Sequence, residues 1–265
     1  MIADTNVRLV AARRLTRRQP RRETGRFLAE GAQAVREALG RPKVVLSIFA
    51  TAEALDRNAE LVEAARALGI RVDEVSVRAA AGLSETVRPQ GIVAVCRKVH
   101  LPLRRALETD PRLVVVLVDA NDPGNAGTIL RTADAAGAKA VIFAGDSVDL
   151  YNGKVVRASA GSIFHVDVVT DVTAEAAVAA ARAAGCTVLA ATGAGADDLD
   201  DLIDGHALDK ATAWLFGNEA NGLPREVIDS ADRRVRVPLY GQAESLNVAA
   251  AAAVCLYASA RAQRV

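Results

Sequence analysis

Hydrophobic residues fall along this chain in two rhythms. Short unbroken runs rich in β-branched residues, such as LVVVLVDA from Leu113 and AKAVIFAG from Ala138, alternate with stretches whose apolar positions recur every three or four residues. Runs without polar alternation suit strands covered on both faces, and the 3.6-residue rhythm suits the helices that cover them. From residue 113 the order reads strand, helix to Gly137, strand, helix, then the strand FHVDVV and the helix AEAAVAAARAAG. The strands CTVLAAT, TAWLFG and RRVRVPL follow, and an alanine-rich helix closes the chain. This predicts an α/β domain on a parallel sheet, with ligand sites beyond the carboxyl ends of the strands.

Upstream the rhythm starts separately. TGRFLAEGAQAVREALG reads as a helix, KVVLSIFA as a strand, AEALDRNAELVEAARALGI as a helix and GIVAVCR as a strand. A smaller α/β domain over residues 1–98 is expected, then a linker at 99–111 within the proline-bearing VHLPLRRALETDPR, then the parallel-sheet domain over 112–265.

Charge adds an asymmetry. Residues 1–26 hold eight arginines against Asp4 and Glu23, so this arm carries +6 within a chain of net charge +1. Guanidinium forks match phosphate oxygens, which makes Arg13, Arg14, Arg17, Arg18, Arg21 and Arg22 candidates for phosphate contacts with a polyanion such as a nucleic acid, a partly disordered tail being the alternative. The longest apolar stretch, VAAAAAVCLYASA, is too short to span a bilayer and no signal-peptide pattern opens the chain, so a cytoplasmic location without a membrane partner is expected. Cys96, Cys186 and Cys255 lack metal-ligand spacing and the three histidines are scattered, so buried thiols and no metal are expected.

One loop is a decoy. TGAGADD, residues 192–198, has two glycines at dinucleotide-fingerprint spacing, but Asp198 replaces the third and further aspartates crowd behind it, where a pyrophosphate would be repelled. Three other loops concentrate polar residues. In NDPGNAGTILRTADAAG, Asn125 reads as the cap of a helix whose core stripe is Ile129, Ala133 and Ala136; Arg131 falls off that stripe, either as a surface ion pair with Asp134 or as a functional cation. In LFGNEANGLP, turn chemistry accounts for Gly217, Asn218, Asn221 and Gly222 but not for Glu219. In VPLYGQAESLNVA, Ser245 or Asn247 caps the last helix. No Ser/His/Asp set and no Gly-Lys-Ser/Thr loop is present, which removes most support for hydrolysis and phosphoryl transfer.

Taken in order, those three loops resemble the three motifs of the SpoU/TrmH branch of the SPOUT RNA methyltransferases, and RRETGRFLAEGAQAVREAL with LSETVRPQGIVAVCRK resembles the ribosomal-protein-L30e-like domain of its ribosomal RNA members. The resemblance implies an L30e-like α/β domain plus a SPOUT domain with a deep trefoil knot. It also implies a homodimer that uses S-adenosylmethionine to methylate a ribose 2′-hydroxyl in RNA, 23S ribosomal RNA being favoured over transfer RNA and over a non-catalytic assembly role. Carried over by position, it places cofactor contacts at Thr192, Gly193, Gly217, Asn218, Val237 and Leu246. Asn125, Arg131, Glu219, Ser245 and Asn247 match positions tied to catalysis and substrate placement, Arg131 acting on RNA across the dimer interface.

Overall fold

The structure, a computed structural model, describes residues 1–41 and 43–264. It divides into two compact units, Met1–Val99 with Asp149–His165, and His100–Val148 with the chain from Val166 onward.

The first unit begins with α1 (Val7–Arg14), α2 (Arg18–Thr24), β1 (Arg26–Glu30), α3 (Ala32–Leu39) and β2 (Val45–Ala50). It continues through α4 (Ala52–Arg57), α5 (Ala59–Ala67), β3 (Arg71–Glu74), α6 (Val77–Ala81) and β4 (Ile92–Arg97). Its sheet runs β1-β4-β2-β3, with β4 antiparallel to both neighbours and β2 parallel to β3. The segment expected as one helix from Thr24 to Gly40 is strand β1 and then helix α3. Phe27 pairs with Cys96 of β4, and Gly31 at φ 95 breaks the backbone before the helix starts. The next expected helix splits at Asn58, whose side-chain amide donates to the Ala54 carbonyl at 2.7 Å and competes with the helical ladder. Strand β3 carries one apolar residue, Val72, and its pairing with β2 rather than its pattern makes it a strand.

The arginine arm is folded. Leu9, Ala12 and Leu15 are buried against Leu28, Phe49, Val75, Leu83 and Val93, which fixes α1 to the sheet. Arg21 is 3 % exposed, and its guanidinium donates to Asp149 at 2.7 and 3.0 Å and to the Leu15 and Thr16 carbonyls at 2.9 and 2.7 Å. With those donors taken, Arg21 holds the fold and leaves no fork for phosphate, a correction to its place among the RNA candidates. Arg13 is half-buried, and Arg14, Arg17, Arg18 and Arg22 are exposed. The same logic draws Asp149–His165 into this unit: Asp149 answers Arg21, Arg157 answers Glu30 at 2.9 Å, and Phe27 packs on the rings of Tyr151 and Phe164.

The second unit contains α7 (Leu103–Ala106), β5 (Leu113–Val118), α8 (Pro123–Ala136) and β6 (Ala140–Ala144). Helix α9 (Gly153–Ala158) belongs to the first unit, after which β7 (Asp167–Val172), α10 (Ala174–Ala183), β8 (Thr187–Ala191), β9 (Asp197–Asp198) and α11 (Leu199–Asp204) follow. The chain ends with β10 (Thr212–Phe216), α12 (Arg225–Ser230), β11 (Arg233–Arg236) and α13 (Val248–Ala262). All seven strands are parallel, in the order β7-β6-β5-β10-β8-β11-β9. The expected linker is packed here: the Leu101 amide donates to the Val168 carbonyl at 2.8 Å, and Ala106 and Leu107 are buried in this unit's core.

Strand β10 enters between β5 and β8 and carries Trp214, fully buried, whose indole N–H donates to Ser259 of α13 at 2.9 Å. Small side chains let α13 approach closely, and it packs on α8, β10 and β5. Cys96, Cys186 and Cys255 are free and buried, and burial pushes the Cys186 and Cys255 thiols up to about 11 and about 12. Such thiols are unreactive near neutral pH. Among the described residues no helix is long and apolar enough to cross a membrane.

Asp73 of β3 joins α1 to the sheet through Arg8 at 2.5 Å and also pairs with Arg71 of its own strand at 3.1 Å. Burial alone would raise its pKa, but the hydrogen bonds and charges of the two arginines outweigh it and the net shift is downward. A carboxylate held below its unfolded value of about 3.9 stabilises the fold above that pH, and the contribution is lost as pH falls through the lower folded value. Asp73→Asn is expected to cost about 1–3 kcal/mol at pH 7. In urea titrations at pH 7 and pH 3 the gap between the two proteins narrows at the lower pH; an equal gap at both would refute the ionic role.

Candidate functional site

Three loops leave the carboxyl ends of strands β5 and β10 and of β11, and side chains tie them together. Strand β5 ends at Val118, and α8 starts at Pro123 with Asp122 as its N-cap, its carboxylate accepting the Asn125 amide at 2.8 Å. Proline at the first helical position has no N–H to satisfy and favours this start. Asn125 is therefore not the cap expected from sequence; it sits inside the first turn, and its side chain is released for tertiary contacts.

After β10 the chain makes the polar knuckle. Gly217 passes so close to Gly222 and Leu223 that a Cβ on it would lie 2.3 Å from their backbone atoms. Asn218 and Gly222 exchange backbone hydrogen bonds at 3.0 and 2.8 Å across the turn. The Asn218 side chain accepts the Ala220 and Asn221 amides and donates to the Asp119 carbonyl at 2.9 Å, so it pins the knuckle to the end of β5.

Glu219 completes the junction. Its carboxylate accepts the Asn121 and Asp122 amides and the Asn125 side-chain amide, each at 3.3 Å. A carboxylate at this place also faces the positive end of α8. Asn125 then uses its oxygen to accept the Asn247 side-chain amide at 3.2 Å, while Asn247 caps α13 by accepting the Ala249 amide at 2.8 Å. Of the two residues expected to cap α13, Asn247 does so; Ser245 lies two residues earlier in the exposed loop.

These loops border a cavity of about 740 Å³, within the roughly 300–1,000 Å³ typical of small-molecule sites. Asn125, Thr192, Gly193, Gly217, Asn218, Glu219, Val237, Ser245, Leu246 and Asn247 all line it. Arg131 does not; it is exposed on α8. Phe216, Leu223, Val235, Pro238 and Leu239 supply apolar walls, Arg236 and Glu244 add charges that the sequence motifs did not single out, and Asp198 of the decoy loop joins them. Two aspartates of the decoy loop are answered by strand β11: Arg236 pairs with Asp198 at 3.0 Å and Arg233 with Asp197 at 3.1 Å. The arginines of RRVRVPL were the available signal, legible only once β9 and β11 are known to pair. Tyr240 donates its hydroxyl to Asp200, which tethers the 237–247 loop and raises the phenol pKa.

The chain matches two family models: the SpoU rRNA Methylase family over residues 112–257, and RNA 2'-O ribose methyltransferase substrate binding over residues 28–102. The chain belongs to the SpoU rRNA methylase family. Every residue lining the larger cavity falls within the SpoU match. Among relatives, it is 36% identical to the 23S rRNA (guanosine(2553)-2'-O)-methyltransferase RlmP of Bacillus subtilis, over 92% of each chain. The structure of an AdoMet-bound rRNA methyltransferase from Sinorhizobium meliloti superposes with a TM-score of 0.84 at 32% identity, covering 98% of this chain and 97% of that one. The SpoU methyltransferase AviRb of Streptomyces viridochromogenes, in complex with AdoMet, gives 0.83 at 30% identity, covering 98% and 99%.

The close approach at Gly217 supplies a test of this SpoU site. Gly217→Ala is expected to cost about 1–3 kcal/mol through overpacking against backbone that cannot yield. Thermal unfolding would register this as a lowered Tm. A variant as stable as the parent would show that the knuckle has room the geometry denies.

Proposed function

We propose that this chain transfers a methyl group from S-adenosylmethionine to a ribose 2′-hydroxyl of 23S ribosomal RNA, working as a cytoplasmic homodimer. The observation that carries the proposal is the Glu219–Asn125–Asn247 bridge, which joins three loops at the rim of one cavity inside the SpoU match. The cavity fits the cofactor in kind: apolar walls, and a glycine at 193 with open space where a side chain would project. Thr192, Gly193, Gly217, Asn218, Val237 and Leu246 would hold it, Asn218 by packing contact alone because its side chain and its backbone N–H are both committed to the knuckle.

When bound, S-adenosylmethionine supplies a methyl group made electrophilic by its sulfonium. The chain's own residues then have to bring an oxygen into line and exclude water. Glu219 is engaged by three donors and acts by ordering Asn125. Asn125, Ser245 and Asn247 orient the hydroxyl at the cavity rim. A guanidinium is a poor base, so Arg131 serves by gripping a phosphate and stabilising the developing alkoxide; the hydroxyl proton passes to water at the cavity mouth, and the donor would leave as the neutral thioether.

Arg131 lies outside its own chain's cavity, which suits action on the partner's site. Val254 and Tyr257, 45% and 54% exposed on α13, offer the apolar face such a dimer would cover. The placement of β10 between β5 and β8, with α13 packed on α8, supports the threaded chain of a trefoil knot. Arg14, Arg17, Arg18 and Arg22, exposed on the first unit, are the proposed RNA contacts, with Arg13 at their edge.

Saturating S-adenosylmethionine is expected to stabilise the protein by about 2.7 kcal/mol at a hundredfold excess over Kd. A melting temperature indifferent to it would end the proposal. Arg131→Ala is expected to lower kcat on 23S ribosomal RNA about 10²- to 10³-fold with cofactor affinity unchanged; normal turnover would remove the assigned role. Replacing Arg14, Arg17, Arg18 and Arg22 by Gln should flatten the slope of log K against log salt by about 0.9 for each phosphate that is no longer neutralised. Filter binding across salt concentrations measures this, and an unchanged slope would place the RNA elsewhere.

A further inference from the structure

A second cavity, of about 460 Å³, is lined by Asp119, Asn121, Asp146, Asn218, Asn221 and Gly222. Asn218 and Gly222 also line the larger cavity, so the knuckle is a wall common to both. The chemistry of the two differs. Apart from Gly222 and a proline, every side chain lining the second cavity is a carboxylate or a carboxamide.

Its walls are held by contacts already tied to the knuckle. The Asp119 carbonyl accepts Asn218 Nδ2 at 2.9 Å, and Asp119 Oδ1 accepts the Asp146 amide at 2.7 Å. Asp119 is at φ 51, and a Cβ on Gly145 would fall 2.2 Å from Asp119 Oδ1 and displace that carboxylate. Asp146 itself is exposed.

Ionised carboxylates only accept hydrogen bonds, and two of them repel a phosphate backbone. What they attract from RNA is a base edge rich in donors. The Watson–Crick edge of guanine presents two adjacent donors, N1–H and N2–H, spaced to meet the two oxygens of one carboxylate. Uracil offers a single N–H between two carbonyls, and adenine and cytosine each set an amine beside an acceptor nitrogen. Unstacked RNA bases are read on these edges. A ribose whose hydroxyl enters the larger cavity carries its base one covalent bond away, and the second cavity lies across the shared wall.

We propose that the second cavity receives the base of the methylated nucleotide and selects guanine. The Asp146 carboxylate accepts N1–H and N2–H, and the carboxamides of Asn121 and Asn221 donate to O6. This inference rests on the ribose-methylation reading and adds the base to it.

The test uses the full-length protein, a 23S ribosomal RNA transcript and S-adenosylmethionine, with the ribose-methylated nucleotide mapped first. That nucleotide is expected to be guanosine. Asp146→Asn should lower kcat/KM on it on the order of 10- to 100-fold, the worth of one bidentate pair, with Kd for S-adenosylmethionine unchanged. Placing inosine at the mapped position, which removes the N2 amine, should slow the parent protein by a similar factor and slow the variant little further. A pyrimidine or adenosine target, or equal rates on guanosine and inosine, would overturn base selection and leave the methyltransferase reading standing. A parent protein that methylates no RNA would sink both. Saturable Mg²⁺ binding by the RNA-free protein, abolished in Asp146→Asn, would assign the cavity to a cation and overturn the proposal.

Discussion

The rim of the larger cavity depends on one carboxylate. Glu219 reaches from the end of β10 to three donors at the start of α8, and Asn125 passes the connection on to the cap of α13. Each bond is partly exposed and long, so each contributes at most about 1 kcal/mol. Their importance is geometric. Three loops that would otherwise move independently are joined at the rim of one cavity, and fixed relative placement is what an in-line transfer requires.

The knuckle gains its rigidity from backbone contact more than from side chains. Gly217 touches Gly222 and Leu223 with no room for a methyl group, and Asn218 spends its whole amide closing the turn and fastening it to Asp119. Asn218 and Gly222 line two cavities at once, one mixed in character and one almost wholly polar. A rigid shared wall lets two different chemistries be presented side by side without mixing them.

Arginine is put to contrasting uses in the two units. In the first, Arg21 is buried and spends its donors on Asp149 and two carbonyls, organising α2, while its neighbours on the same short helices stay in solvent. In the second, Arg233 and Arg236 neutralise aspartates that by sequence looked hostile to any anionic ligand. Counting charges along the chain grouped the arginines of the arm together; burial and pairing separate them.

The parallel sheet, the order of its strands along the chain and the three polar loops were legible because burial on both faces leaves unbroken apolar runs, and because loop residues such as Glu219 fit no turn or core role. The positions expected to contact a cofactor came with the motif resemblance, and all of them line the cavity. Strand β1 was misread because five residues cannot show a period, and β3 was missed because pairing with β2, not pattern, holds it extended. The cap of α8 moved from Asn125 to Asp122, and that shift freed the side chain that bridges the loops. Periodicity is a local property, so sequence alone determined which segments are strands and helices wherever they are long and apolar. Which segments lie side by side, which arginine is buried, and that Asp119 and Asp146 meet Asn121 and Asn221 in one cavity depend on contacts between residues distant in the chain, and only the tertiary structure decides those.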